Sequence, residues 1–126
     1  MMSSFYSREM FDHFRKPRNA RVLEGADGSG RAINEACSDV VQIFIKVKND
    51  IVEEVTFQAQ GCVACIAAAS MTTVMATGQS LDDALSIDQT TLAFELGGIP
   101  EAKADCSMIS PLALREAIYE YHNCQP

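Results

Sequence analysis

The sequence predicts an α+β fold in which a small antiparallel sheet of about three strands is covered on one face by helices. Apolar and polar residues alternate over most of residues 39–58, which is typical of strands. After residue 62 the apolar residues recur at helical spacing instead. The chain has 126 residues, 48% of them apolar, which suits one hydrophobic core. We therefore expect one domain that spans residues 1–126.

The first quarter of the chain is predicted to hold one helix and an irregular segment. Residues 7–16 place apolar side chains on one helical face, and Pro17 ends the run. Residues 18–34 are expected to be irregular, because three glycines fall within six residues: Gly25, Gly28 and Gly30.

The middle of the chain predicts a β-hairpin. Its strands cover residues 39–47 and 51–58, and Asn49 and Asp50 between them favour a tight turn. A hairpin returns its two outer ends to one place, so the residues just before and just after it are expected to be neighbours.

Four helices are predicted after the hairpin. The first runs from Cys62 to about Thr77 and is ended by Gly78. Two short helices follow, capped by Ser80 and Asp88, whose side chains can accept hydrogen bonds from the first helical amides.

A last helix is predicted to begin at Ser110 and Pro111, a favoured pair at a helix start. Its apolar stripe continues through Leu114, Ile118 and neighbouring residues. This start leaves Cys106 in the preceding loop.

The negative net charge limits the classes of partner that the protein is expected to bind. Ten Lys and Arg residues against 17 Asp and Glu residues give a formal charge of −7. Nucleic acids and anionic membranes are bound by basic patches, so we expect neither as a partner. The sequence has no apolar run of signal-peptide or membrane-spanning length. We therefore expect a cytoplasmic protein with reduced thiols.

Three of the five cysteines are expected to converge. Cys37 comes just before the hairpin and Cys62 just after it, so the two should be neighbours, and Cys106 precedes the last helix. Asp39 and Asp105 flank this group. Three thiolates with a carboxylate suit zinc or an iron–sulfur centre. The alternative is three inert thiols in a core.

The positions of two thiols also predict their reactivity. Backbone amides at helix starts carry partial positive charge, which is expected to lower the pKa of Cys62 and of Cys106. Lys103 is close enough in sequence to Cys106 to add to that effect.

Several segments of the chain resemble the IscU/NifU-type iron–sulfur cluster scaffolds. The resemblance runs from about residue 4 to residue 121 and includes three cysteines in the family's order. The segments that carry it are Tyr6-Ser7, Asp12-His13-Phe14, Pro17-Arg18-Asn19, Ala36-Cys37-Ser38-Asp39, Gln60-Gly61-Cys62, residues 78–85, Lys103 and Cys106-Ser107-Met108.

The resemblance implies a SufE/NifU-like fold and the role of a scaffold or carrier rather than an enzyme. A transient [2Fe–2S] cluster would be assembled from iron and from persulfide sulfur supplied by a cysteine desulfurase, and then passed to acceptor apoproteins. An iron donor or a ferredoxin would be a further partner. Zinc can occupy the apo site in this family. Tyr6 lies where the family has an N-terminal tyrosine linked to sulfur handling and association.

The resemblance also implies roles for individual residues. Cys37, Cys62 and Cys106 would be the thiolate ligands, and Asp39 would be a ligand or tune the lability of the cluster. Cys106 would be the first persulfide acceptor, assisted by the charge of Lys103. A site that releases its cluster benefits from a weaker oxygen ligand on an accessible loop.

The sequence departs from the family pattern at three places. Asp105 stands where the family often has His, so the fourth ligand is Asp39, Asp105 or an outside molecule. Ser38 stands where the family has Gly, which puts the loop's tolerance of positive φ in question. Residues 99–103 lack the second proline of the family's Leu-Pro-Pro-Val-Lys segment, so a dedicated Hsp70-type chaperone is a doubtful partner.

A fourth cysteine lies beside the predicted site. Cys62 and Cys65 form a C-x-x-C pattern at a helix start. Cys65 is interpreted as an alternative ligand, a resolving thiol or a small core residue facing the sheet, and we favour the last. We interpret Cys124 as an exposed thiol, and His13 and His122 as structural or solvated.

Other functions stay open from the sequence alone. One is a zinc-binding persulfide acceptor, and another is a dithiol redox protein that uses the C-x-x-C pair. A third is a partner-binding protein without chemistry. The protein is expected to be a monomer or a dimer.

Overall fold

The computed structural model describes residues 6–123 and has the α+β architecture that the sequence predicts. The three strands form one antiparallel sheet in the order β1-β2-β3. Among the described residues, none of the helices combines the length and apolarity needed to cross a bilayer. The elements in chain order are α1 (Arg8–Arg15), β1 (Gly28–Asn34), β2 (Asp39–Lys48), β3 (Ile51–Gln60), α2 (Val63–Ala76), α3 (Leu81–Leu85), α4 (Gln89–Glu95), a 3-10 turn (Glu101–Lys103) and α5 (Ala104–Asn123).

The predicted hairpin is confirmed, with strands slightly longer than expected. Asn49 and Asp50 both have positive φ, 55° and 62°, as a tight two-residue hairpin turn requires. Along most of β2, buried positions alternate with half-buried ones. One face of the sheet therefore carries the core, through Val41, Ile43 and Ile45.

A third strand lies where an irregular segment was predicted, so that prediction was wrong. β1 pairs with β2 over its whole length and brings Asn34 opposite Asp39. The glycines that suggested a loop allow a helix to approach instead. A Cβ on Gly28 would lie only 2.3 Å from the carbonyl oxygen of Ala117, and one on Gly30 would meet the next turn of α5 equally closely.

The last helix begins earlier than predicted. α5 starts at Ala104, so Ser110 and Pro111 lie inside it rather than at its start. A proline in a helix interior costs about 3 kcal/mol. Large apolar side chains buried on either side of it contribute about 1.5–3 kcal/mol each, which offsets that cost. Cys106 therefore lies in the first turn of α5 and not in a loop.

The helix α2 is buried on two sides. Cys65 and Ala69 belong to the core between the sheet and α5, whereas Ala64 and Ala68 belong to a second core with α1 and α4. Small side chains allow this close packing. The N-cap of this central helix is Cys62.

Three helix starts differ in their caps. Ser80 and Asp88 cap their helices, as predicted: the Ser80 hydroxyl accepts a hydrogen bond from the backbone N–H of Asp83, and the Asp88 carboxylate accepts one from the backbone N–H of Thr91. The Thr91 side chain in turn bonds to the backbone of Asp88, which makes a capping box. Cys62 holds the equivalent position before α2, but its side chain makes no capping hydrogen bond. The thiol is therefore left for other contacts.

Candidate metal centre

One end of the sheet gathers the predicted site residues. Asn34 ends β1, Asp39 begins β2 opposite it, and β3 ends beside them at Gln60. The connection between β1 and β2 carries Cys37, and Cys62 follows β3 at the start of α2. The antiparallel register therefore brings three chain segments to one place.

The side chains of Cys37, Asp39 and Cys106 form the centre of this site. Their ligand atoms all lie within 4.8 Å of one another. Sγ of Cys106 lies 3.3 Å from Sγ of Cys37. The Cys62 thiol joins the group by donating to Oδ2 of Asp39 across 3.5 Å. Within residues 6–123, Cys37, Asp39 and Cys106 form the group of three or more His, Cys, Asp or Glu side chains whose ligand atoms lie close enough to hold a metal.

Two backbone positions shape the site. A Cβ on Gly61 would lie 2.6 Å from Oδ1 of Asp39 and 2.9 Å from Sγ of Cys65, so both side chains approach the bare glycine backbone. Ser38 adopts the left-handed conformation in question, with φ of 61°. That conformation costs a residue with a side chain about 1–2 kcal/mol. The strained residue lies directly between Cys37 and Asp39.

The side chains of the site differ in their exposure to solvent. Cys37 is exposed and Cys62 is half-buried, whereas Cys106 and Asp39 are only 7% and 3% exposed. Cys37 is therefore the most accessible side chain of the site, and the carboxylate of Asp39 is the least accessible. A buried carboxylate beside three thiols is costly unless a cation neutralises it.

The predicted lowering of the Cys106 pKa was wrong. Burial raises the pKa of the Cys106 thiol, and its hydrogen bonds with Cys37, Asp39 and Cys62 raise it further. Burial, together with these neighbours, outweighs the helix-start amides at this position. The thiol form therefore predominates at neutral pH until a metal ion displaces the proton.

Two predicted residues lie beside the centre rather than in it. Asp105 is exposed and lines a surface groove with Asn34 and Leu112. It is not in the group formed by Cys37, Asp39 and Cys106, so Asp39 is better placed to be the oxygen ligand. Lys103 ends the 3-10 turn before α5 and is half-buried.

Two further residues border the site: Cys65 on the core side and Asn34 beside Cys106. Cys65 is fully buried among core residues of the sheet. Burial and the nearby Asp39 charge raise the pKa of its thiol to about 12. The Asn34 amide contacts Sγ of Cys106 at 4.0 Å. Sequence reasoning missed Asn34 because its segment carried no recognisable strand pattern.

The remaining candidates lie away from the centre. Tyr6 is buried and makes an edge-to-face ring contact with α1. Nδ1 of His13 lies 2.7 Å from the Ser70 hydroxyl, and burial lowers the pKa of this histidine, which fits a structural role. His122 is exposed, and Cys124 lies outside the described residues.

Comparison with known proteins shows the family of this chain. The family model for the NifU-like N terminal domain matches residues 5–125. The chain is 46% identical over 116 residues to the iron–sulfur cluster assembly scaffold protein IscU 1 of Archaeoglobus fulgidus, covering 92% of this chain and 76% of that protein. It is 38% identical over 120 residues to the scaffold protein IscU of Escherichia coli, covering 92% and 93%.

A solved structure shares the fold. It is the crystal structure of a nitrogen-fixing NifU-like protein (N-terminal) from Brucella abortus, with a TM-score of 0.79 at 14% identity, covering 98% of this chain and 99% of that chain. The sequence match over nearly all residues identifies the family, and the shared fold agrees with it. The chain therefore belongs to the family of NifU-like N-terminal domains.

Proposed function

We propose that this protein is a scaffold, not an enzyme, on which a transient [2Fe–2S] cluster is assembled and from which it passes to acceptor apoproteins. The observation that carries the proposal is the convergence of Cys37, Cys62, Cys106 and Asp39 at one end of the sheet. The relatives named above are described as iron–sulfur cluster assembly scaffold proteins.

The donor set suits a cluster that must leave. Thiolates are the usual ligands of iron–sulfur clusters, and four of them hold a cluster permanently. Here the carboxylate of Asp39 takes the place of one thiolate, and oxygen is a poorer ligand than sulfur for such a centre. The exposed position of Cys37 gives an acceptor protein direct access to one ligand.

Sulfur enters the site as a persulfide. Cys106 is the proposed first acceptor, and Lys103, three residues earlier, assists by its positive charge. Because Sγ of Cys106 lies 3.3 Å from Sγ of the exposed Cys37, persulfide sulfur can pass between these two thiols by exchange. Both then hold iron once their protons are displaced.

The partners follow from this chemistry. A cysteine desulfurase supplies the persulfide, and iron comes from a donor protein, with a ferredoxin as a further partner. The proposal places the protein in the cytoplasm as one domain over residues 1–126, where thiols stay reduced. It includes neither nucleic acid nor a membrane as a partner, and a dedicated Hsp70-type chaperone stays a doubtful partner.

Anaerobic reconstitution tests the proposal. The wild-type protein is supplied with ferrous iron, cysteine and a cysteine desulfurase, and then with an apo-ferredoxin in the presence of an iron chelator. We expect the visible absorbance and Mössbauer signature of a [2Fe–2S] cluster, followed by its transfer to the acceptor. Absence of any chromophore, or a cluster that the acceptor never receives, would contradict the proposal.

A zinc-binding persulfide acceptor is the second candidate, because three thiols and a carboxylate also suit tetrahedral zinc. Its signature would be stoichiometric zinc that survives reconstitution, with persulfide on Cys106 or Cys62 by mass spectrometry. Zinc that iron and sulfide displace would instead favour the cluster scaffold.

A further inference from the structure

The C-x-x-C pair is the part of the site that the scaffold role leaves unexplained. Cys62 holds the N-cap position of α2 and Cys65 is the third residue of that helix. Side chains at an N-cap lie over the amides of the second and third helical residues. The backbone spacing of such a pair falls in the range that a disulfide can bridge.

The carboxylate of Asp39 connects these two thiols. Its Oδ2 accepts a hydrogen bond from the Cys62 thiol. Its Oδ1 and Sγ of Cys65 both approach the same point above Gly61, at 2.6 and 2.9 Å from where a Cβ would stand. Cys62 is half-buried and Cys65 is fully buried. The Cys106 thiol, the proposed first acceptor, also hydrogen-bonds with Cys62, so persulfide sulfur can pass from Cys106 to Cys62 by exchange. It reaches Cys62 before Cys65, because Cys65 lies deeper.

Cluster assembly needs sulfide, whereas a persulfide carries its outer sulfur two electrons more oxidised. We propose that Cys65 is the resolving thiol that reduces a persulfide on Cys62 to sulfide inside the site. This inference rests on the proposed function, since it presupposes persulfide delivery. One Cys62/Cys65 pair supplies the two electrons for one cluster sulfur and must be reduced again before the second.

The release of sulfide balances with the Cys62 persulfide and the Cys65 thiol alone. The sulfur of Cys65 attacks the inner sulfur of the Cys62 persulfide, the bond between inner and outer sulfur breaks, and a Cys62–Cys65 disulfide forms. The outer sulfur leaves as hydrogen sulfide with the proton of the Cys65 thiol. The two cysteine sulfurs are thereby oxidised, and the departing sulfur gains two electrons. A small dithiol then reduces the disulfide, which frees Cys62 to bind iron.

The test uses glutathione persulfide as the donor, under anaerobic conditions and without added reductant. After rapid removal of the donor, released sulfide is measured with time and the protein is alkylated, digested and mapped by mass spectrometry. The variants are Cys65→Ala and Cys65→Ser, and Cys124→Ser is the control that also removes one thiol.

We expect wild type and the Cys124→Ser control to release sulfide while gaining a Cys62–Cys65 disulfide. Both Cys65 variants should keep the persulfide on Cys62 and release sulfide at least about tenfold more slowly, because an intramolecular attack is lost. Equal release in the variants, a disulfide from Cys62 to Cys37 or Cys106, or no persulfide on Cys62 in any protein would overturn the inference. The disulfide map of the wild type decides alone if neither Cys65 variant folds.

A second arm separates this inference from the proposed function. Wild-type protein is given ferrous iron and inorganic sulfide, so that no persulfide needs to be reduced. A cluster in this arm, without sulfide release in the first, overturns the role of Cys65 and leaves the scaffold intact. No cluster even from inorganic sulfide contradicts the scaffold itself.

Discussion

The two ends of the sheet contain the same parts, a reversal of the chain and the start of a helix, but they are built differently. At the turn end, Asn49 and Asp50 take the positive φ values and the Ser80 hydroxyl caps α3. At the site end, Ser38 takes the positive φ and Cys62 begins α2 without a side-chain cap. The turn end uses the residues that stabilise these parts best, and the site end does not.

This difference shows that the site end is locally less stable than the turn end, because its residues are needed to bind metal or sulfur. Asn and Asp tolerate the left-handed region better than Ser does. A serine cap satisfies a helix amide, whereas a thiol reserved for metal or sulfur does not. Asp39 is buried beside three thiols at the same end. Substitutions at matched positions of the two ends should therefore differ in their effects on stability and on cluster loading.

The largest effect is expected from Gly61→Ala at the site end. The added methyl group would overlap Asp39 and Cys65, and overpacking of this kind costs about 1–3 kcal/mol. The free energy of unfolding from urea titration should fall by that amount, and the yield of reconstituted cluster should fall with it.

Gly78→Ala is the matched control at the turn end. Gly78 has φ of 87° and open space around its Cα, so the substitution strains the backbone without touching the site. Stability should drop by about 1–2 kcal/mol with cluster yield per folded protein unchanged. Equal cluster yields in both alanine variants would show that Gly61 does not shape the site.

An intermediate effect is expected from substitutions of the N-cap residues of α2 and α3. Cys62→Ser supplies an N-cap hydroxyl to α2 and should stabilise the fold by up to about 1 kcal/mol while abolishing the cluster. Ser80→Ala removes the cap of α3 and should cost about 1 kcal/mol while the cluster is retained. Thermal unfolding and visible absorbance of the reconstituted proteins measure both. A Cys62→Ser protein that loads a cluster normally would remove Cys62 from the ligand set.

The smallest effect is expected from Ser38→Gly. Glycine relieves the left-handed strain but loses more entropy on folding, so the net gain should be about 0.5–1 kcal/mol. Asn49→Gly at the turn end should gain less, because Asn already tolerates that conformation. Chemical denaturation of the two variants checks this, and an equal gain at both positions would argue against strain at Ser38.

Much of the fold could be predicted because local signals and tertiary structure agree. The hairpin followed from alternation and from Asn49-Asp50, and α3 and α4 followed from their caps. β1 was missed because Gly28 and Gly30 serve the packing of α5, a partner far away in sequence. The start of α5 was missed because tertiary burial outweighs the local preference of Pro111.

The sequence predicted which residues form the site better than it predicted the pKa of their thiols. The hairpin argument places Cys37 and Cys62 at one end of the sheet, where the structure also has them. It does not place Cys106 in a helix, and local reasoning gave the wrong direction for its pKa. That direction depends on neighbours contributed by three different segments of the chain. The role of Cys65 likewise depends on Asp39, which is remote in sequence.

Cys37, Cys62 and Cys106 are proposed to hold an assembling cluster together. The most direct measurement is the visible absorbance and Mössbauer spectrum after anaerobic reconstitution of wild type, of the three single Cys→Ala variants at these positions, and of the Cys124→Ser control. The account predicts a [2Fe–2S] spectrum in wild type and control, and its loss in each of the three variants. No chromophore in the wild type, or a full spectrum in any of the three, would contradict it.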